Sequence, residues 1–112
     1  MISLLVAAVI AAPGASSYCS PSGDLCYGIV RRGDAVVLRI DTIERYFARY
    51  TLCVRSPRGR RVCGSFPIFR NDRVWTSAVR WRRQFPNDGP GRYAVTWRLG
   101  GGALGPALSF RR

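Results

Sequence analysis

The sequence predicts an all-β fold, an antiparallel β-sandwich of about seven strands in a single domain. Apolar and polar residues alternate with a period of two in several segments, as expected of strands with one buried face. Turn-forming Gly, Pro, Asn and Asp residues separate these segments at intervals of about 8–12 residues. The 112 residues provide room for one domain, and no repeat or linker divides them.

The clearest element is a β-hairpin over residues 50–66, in which alternate positions are apolar on both arms. Pro57 presets φ for the first turn position, and Gly59 accepts the left-handed conformation that closes a three-residue loop. This loop places Cys53 directly opposite Cys63, on the face that carries the arginines. We therefore expect a cross-strand disulfide on the solvent side of a sheet.

The other predicted strands also alternate in polarity between turn residues; they cover residues 26–30, 35–41, 74–85, 92–99 and 103–110. Residues 41–47 carry the only helical signals, with Asp41 or Thr42 as the cap and Glu44 in the first turn. We expect a short exposed turn of helix or a bent connection there. Pro67 cannot donate to a ladder, which predicts a sheet edge or a crossing between sheets at the end of the hairpin.

Most aromatic residues fall at inward positions of the predicted strands. We interpret this set as core rather than as a ligand platform, because each aromatic side chain must bury a large area. It consists of Trp75, Trp81, Tyr93, Trp97 and Phe110, and Leu99 shares the inward parity.

The junction from Asp88 to Tyr93 resembles the immunoglobulin-like superfamily, in which a tyrosine at the start of the next-to-last strand bonds back to the loop backbone. Asp88 is one residue further from the tyrosine than in antibody domains, and Val95 stands at the position of the inter-sheet cysteine. The resemblance, over residues 36–110, implies an immunoglobulin-like or fibronectin-type-III-like sandwich without the core disulfide. The chain also resembles small, secreted, arginine-rich immunoglobulin-like proteins of actinobacteria. The fold implies no particular activity.

Residues 1–17 form an apolar run followed by small residues, which is typical of a secretory signal peptide. Cleavage after Gly14 or after Ser17 fits, and the latter leaves residues 18–112 as the domain. The run is shorter than the roughly 20 residues of a membrane span. No Arg or Lys precedes the run, which departs from the usual signal-peptide pattern. The alternative is a retained membrane anchor. The expected location is extracellular, with attachment to the cell envelope left open.

Four cysteines behind an export signal indicate disulfides. The hairpin favours a Cys53–Cys63 bridge, which leaves Cys19 to pair with Cys26. The alternative is a four-thiolate zinc site, but the spacings are wider than those of zinc knuckles and export disfavours free thiolates. We expect no metal and no cofactor.

An enzyme is disfavoured because the chain lacks histidine, the commonest general base and metal ligand. The acidic residues fall in turns or at strand ends, where local backbone geometry accounts for them. Asp41 and Glu44 are a conceivable catalytic pair, although a helix cap and a surface charge explain both. The sequence contains no phosphate-binding loop and no metal motif.

The net charge is +12, and all 18 basic residues are arginine. Such a charge attracts phosphate or carboxylate polymers, although a GC-rich coding sequence would also enrich arginine. Residues 45–50 interleave arginines with Tyr46, Phe47 and Tyr50, as do surfaces that stack bases or sugars; an ordinary strand face is the alternative. The candidate polyanion-binding residues are Arg45, Arg49, Arg58, Arg60, Arg61, Arg80, Arg82 and Arg83.

The sequence therefore favours a non-catalytic exported module that binds a partner at the cell envelope. That partner is either an anionic polymer or another secreted protein, and no specific nucleic acid is predicted. The alternative function is a cationic effector that acts on anionic membranes or cell-wall polymers. If the arginines converge on one contiguous face, polyanion binding is favoured; if they are dispersed, they form an ordinary solvated surface.

Overall fold

The computed structural model describes residues 16–112, so the predicted signal peptide over residues 1–17 lies almost entirely outside the described residues. The described chain forms the strands β1 (Ser17–Cys19), β2 (Leu25–Arg32), β3 (Ala35–Thr42), β4 (Arg49–Arg55), β5 (Arg61–Pro67), β6 (Phe69–Asn71), β7 (Val74–Arg80), β8 (Arg92–Leu99), β9 (Gly102–Ala103) and β10 (Leu108–Arg111), and one helical turn, α1 (Trp81–Gln84). None of the helical structure within residues 16–112 is long and apolar enough to cross a membrane.

The strands form two antiparallel sheets, and this confirms the predicted sandwich. Sheet I has the order β1-β2-β3-β7-β6, and sheet II has the order β10-β8-β4-β5, with β9 also paired to β8. This strand order is consistent with the immunoglobulin-like arrangement that the sequence resemblance implied. The chain passes from sheet II to sheet I between β5 and β6, directly after Pro67, as predicted.

The alternating pattern directs one side of each sheet into a shared core. Trp97 is fully buried and stacks on Tyr27 of the opposite sheet, with ring centroids 4.3 Å apart. Tyr50 also joins the sheets, because its hydroxyl donates to Ser77 Oγ at 2.7 Å. Burial raises the pKa of Tyr50 to about 12. Tyr50 is therefore a core residue, and its expected place in an exposed aromatic surface was wrong.

Tyr93 forms the expected hydrogen bonds back to the loop that precedes β8, an arrangement known as a tyrosine corner. The Tyr93 hydroxyl donates to the Gly89 carbonyl at 2.7 Å and accepts from the Asp88 N–H at 2.8 Å. Both bonds connect the loop before β8 to the beginning of that strand, as the immunoglobulin-like resemblance implied.

Replacing Tyr93 with phenylalanine is expected to lower the free energy of unfolding by about 1–3 kcal/mol, because the Asp88 N–H and the Gly89 carbonyl lose a partner in a part-buried loop. Urea denaturation measures the change. Tyr46→Phe is the matched control: this hydroxyl lies 3.4 Å from Asp24 on an exposed side chain, so its loss should cost less than about 0.5 kcal/mol. Equal costs for the two variants would contradict a structural role for the corner.

Both predicted disulfides are confirmed. Cys53 pairs with Cys63 across β4 and β5, and Cys19 pairs with Cys26 across β1 and β2. The four sulfurs are thus covalently paired, which excludes the alternative zinc site. The face assignment was correct, but Cys53 is only 3% exposed, because β4 is an inner strand with Cys63 on one side and Thr96 on the other.

Two element predictions require correction. Residues 74–85 do not form one strand: β7 ends at Arg80, and α1 follows, closed by the bond from the Phe85 N–H to the Trp81 carbonyl at 2.9 Å. Residues 103–110 form two short strands, β9 and β10, rather than one. Residues 41–47 adopt the bent connection and not the helical turn.

Two residues of the predicted core lie near the surface. Trp75 has inward parity but is only half-buried at one end of the sandwich, where the Arg45 guanidinium lies 5.6 Å from its ring centre. Leu99 is 41% exposed because it ends β8 beside the glycine turn. The other predicted core aromatics, Trp81, Tyr93, Trp97 and Phe110, are buried.

A candidate polyanion-binding face

The outer surface of sheet II carries one sign of charge. Its strands contain no Asp or Glu, and every arginine in them points outward. We call this surface the basic face; its arginines are Arg49, Arg55, Arg61, Arg92, Arg98 and Arg111.

Strand register brings these arginines together. Arg55 lies directly opposite Arg61, and Arg92 lies directly opposite Arg111. Like charges at directly opposed positions of an antiparallel pair destabilise the sheet. The sheet therefore retains two arginine–arginine pairs that oppose folding.

The side chains between the arginines are short and neutral. Ala94 pairs with Arg55, and Arg98 pairs with Thr51. The other outward positions are Ser65, Pro67, Thr96, Ser109 and the Cys53–Cys63 bridge. With strands about 4.8 Å apart and a rise of about 3.3 Å per residue, the four strands span about 15 Å by 20 Å. The result is a shallow surface on which long guanidinium groups surround a floor of small residues.

The guanidinium groups of the basic face lack acidic partners. Within residues 16–112 the ion pairs are Arg39–Asp41 and Arg60–Asp88, and neither involves this face. Arg49 donates instead to the Ser65 hydroxyl and carbonyl, and Arg98 to the Gly101 carbonyl. These bonds hold the side chains against the sheet without neutralising their charge.

At the β10 edge, the basic face continues into an open groove of about 540 Å³. Arg31, Arg92 and Arg111 line it together with Phe110 and Ser109. Arg31 donates to the Arg111 carbonyl and lies 5.9 Å from the Phe110 ring centre. Its charged groups are all guanidinium groups, so the groove is suited to holding anions.

The residues predicted from sequence clusters do not form one surface. Arg49 and Arg61 lie on the basic face, and Arg58 lies at the hairpin tip beside it. Arg60, at the same tip, is held by both carboxylate oxygens of Asp88, at 2.7 and 3.2 Å. Hydrogen bonds from Arg60 and Ser56 lower the pKa of Asp88, which favours the ionised carboxylate.

The remaining predicted arginines lie elsewhere. Arg45 covers Trp75, Arg80 ends β7 in sheet I, and Arg82 and Arg83 are exposed on α1. Sequence reasoning missed Arg55, Arg92, Arg98 and Arg111 because it looked for runs of neighbouring arginines. The available signal was their outward parity, but the pairing of β4 with β8 was needed to bring them together.

Comparisons with known proteins add little to this geometry. No protein-family model and no curated protein matches the chain. Among solved structures, the chain is similar to the crystal structure of a Br derivative of BhCBM56, a carbohydrate-binding module, with 17% sequence identity and a TM-score of 0.43. The match covers 87% of this chain and 97% of that one. Similarity at this level supports no functional argument.

Proposed function

We propose that the protein is a non-catalytic, exported module that binds an anionic polymer of the cell envelope through the basic face. The observation that carries the proposal is the presence of two directly opposed arginine pairs, Arg55–Arg61 and Arg92–Arg111, on a sheet whose strands contain no acidic residues. Their repulsion costs stability in the free protein. A bound polyanion would relieve that repulsion and release its own counterions.

The two disulfides agree with this assignment, because such bridges persist in oxidising compartments outside the cytosol. A flat array of arginines on a floor of Thr, Ser and Ala favours a repeating anion, such as a phosphate- or carboxylate-bearing polymer, over a compact ligand. The face offers no acidic or amide side chains to contact cytosine or adenine, and we propose no specific nucleic acid as its ligand.

The alternative function, a cationic effector that disrupts membranes, fits the basic face less well. Interfacial insertion needs large apolar side chains beside the cationic ones. Among residues 16–112, the large apolar side chains that are exposed are dispersed over strand ends and connections; they are Ile43, Tyr46, Phe69 and Leu99. Leakage of vesicles rich in anionic lipid at low protein concentration would favour the effector and count against a polymer-binding module.

The proposal predicts opposite effects on binding and on stability in one variant. Arg61→Thr with Arg92→Thr removes one member of each opposed pair, and neither side chain forms a hydrogen bond within the described residues. We expect the double variant to gain about 0.4–2 kcal/mol of stability at low salt. We also expect its Kd for heparin, used as a model polyanion, to rise about tenfold or more, with a salt slope smaller by about two.

The matched control is Arg82→Ala with Arg83→Ala on α1, which removes the same charge from an exposed site outside the basic face. Its heparin Kd and salt slope should stay close to those of the original protein. Equal losses in both double variants would mean that net charge alone drives binding, and this would overturn the assignment to the basic face. Linear polyphosphate and neutral dextran complete the series, with binding expected only for the former.

A further inference from the structure

The outer surface of sheet I contains a second concave site, on the opposite side of the molecule from the basic face. It has a volume of about 510 Å³, within the range of small-molecule sites. Three successive rows of outward-facing side chains on neighbouring strands form this site. The first row contains Arg32 and Ala35, the second Val30, Val37 and Arg80, and the third Arg39 and Ala78. We call it the valine groove.

The floor of this groove is apolar, although it faces solvent. Outward positions of an antiparallel sheet that packs on one side are usually polar. Here Val30 and Val37 form a directly opposed pair, and Ala35 and Ala78 extend their surface. Strand spacing and rise give this floor dimensions of about 7 Å by 10 Å, enough for a short alkyl chain.

The rim of the groove is cationic. Arg32 and Arg80 are exposed and form no ion pair within residues 16–112. The Nε of Arg39 is held by both oxygens of Asp41, at 3.0 and 3.3 Å, and Asp41 in turn accepts from the Thr76 hydroxyl at 2.6 Å. This chain of bonds orients the Arg39 guanidinium and leaves its two terminal nitrogens without a hydrogen-bond partner in the described residues.

From these features we infer that the valine groove binds a short-chain anionic amphiphile, with the alkyl chain on the Val30–Val37 floor and a phosphate-like head group between the Arg39 and Arg80 side chains. Three guanidinium groups and one carboxylate give the site a formal charge of +2, which matches a singly or doubly charged head group. The basic face lacks an apolar floor, and the groove lacks its extended array of arginines. The two surfaces therefore select different ligands.

Isothermal titration of the purified protein with octyl phosphate tests this inference. Inorganic phosphate supplies the head group without the chain, octyl glucoside supplies the chain without the charge, and octyltrimethylammonium carries the opposite charge. We expect octyl phosphate to bind at least about tenfold more tightly than each of the three. Equal affinity for octyl phosphate and either inorganic phosphate or octyl glucoside would overturn the inference.

Variants localise the binding. Arg39→Ala and Arg80→Ala should each weaken octyl phosphate binding about tenfold, by loss of a charge-assisted hydrogen bond. Val37→Thr keeps the branched shape but adds a hydroxyl to the floor, and it should weaken binding at least about threefold without affecting inorganic phosphate. Because Val37 lies on the solvent side of the sheet, this variant should fold even if removal of Arg39 disturbs Asp41. Unchanged affinity in Arg80→Ala and Val37→Thr would exclude the groove.

The basic-face variant Arg61→Thr with Arg92→Thr separates this inference from the proposed function. This variant should retain full affinity for octyl phosphate, while its affinity for heparin falls. Arg80→Ala should lose affinity for octyl phosphate and retain its affinity for heparin. Methyl resonances of Val30 and Val37 should shift on titration with octyl phosphate. Shifts confined to residues of the basic face would assign the amphiphile to the polyanion site and overturn the inference.

Discussion

Replacing Trp97 with alanine is expected to lower the free energy of unfolding by about 3–5 kcal/mol, the usual cost of truncating a buried aromatic residue. Trp97 is 0% exposed and stacks on Tyr27, so its removal opens a cavity between the two sheets. A domain of this size is stable by about 5–15 kcal/mol, and the loss should lower Tm by about 15–30 °C. Thermal denaturation followed by circular dichroism measures the shift.

Trp75→Ala is the matched control, because it removes the same side chain from a half-buried position outside the main core. Its loss should cost about 1 kcal/mol, including the contact with Arg45. Trp97→Phe is a second comparison: the indole N–H of Trp97 is buried without a hydrogen-bond partner, so this variant removes an unsatisfied donor and should cost much less than alanine. Similar costs for Trp97→Ala and Trp75→Ala would contradict the described core.

The contrast between these tryptophans shows what sequence parity can predict. Parity gives the face of a strand, and it placed Trp75 and Trp97 correctly on the inward side. Depth depends on how far each sheet extends over its neighbour, and no local pattern contains that information. Trp75 pairs with Thr42 at the end of β3, where the sandwich ends, whereas Trp97 pairs with Leu52 in its middle.

The helical turn α1 was missed for a related reason. Trp81 and Phe85 are four residues apart, and this spacing puts two side chains on one face in both a helix and a strand. Their shared burial is therefore compatible with either structure. β7 ends at Arg80, the last residue that pairs with β3, although β3 itself extends two residues further, to Ala35. The alternation of side chains along residues 74–85 does not contain this end point.

Local rules succeeded where the interacting residues were close in sequence. The loop around Pro57 and Gly59 was sufficient to predict the pairing of Cys53 with Cys63. The resemblance of the Asp88–Tyr93 junction to immunoglobulin-like domains implied the tyrosine corner, although the spacing departs by one residue from that of antibody domains. The basic face joins strands far apart in the chain, since Arg55 of β4 lies beside Ala94 of β8. Its existence followed only from the strand order, which explains why clusters of adjacent arginines were a poor guide to it.

Reducing both disulfides is expected to lower the free energy of unfolding by about 5 kcal/mol, because sequence separations of 7 and 10 residues each correspond to about 2.5–3 kcal/mol of loop-closure entropy. The bridges lie in different sheets, so their contributions should add. Against a total of about 5–15 kcal/mol, the reduced protein should be partly or wholly unfolded at 37 °C. Urea denaturation with and without a reductant measures the loss, and coincident midpoints would contradict it.

The Cys53–Cys63 bridge should also affect the salt dependence of stability, because it lies one row from the opposed Arg55–Arg61 pair. While the bridge is intact, these arginines stay close in the unfolded chain, so unfolding relieves little of their repulsion. Replacing both cysteines with alanine lets unfolding separate them, and the full repulsion then favours the unfolded state. The cost of the double variant should therefore be larger at 10 mM than at about 500 mM salt, since screening weakens the repulsion. For Cys19→Ala with Cys26→Ala, which has no opposed arginines beside it, the cost should not change with salt.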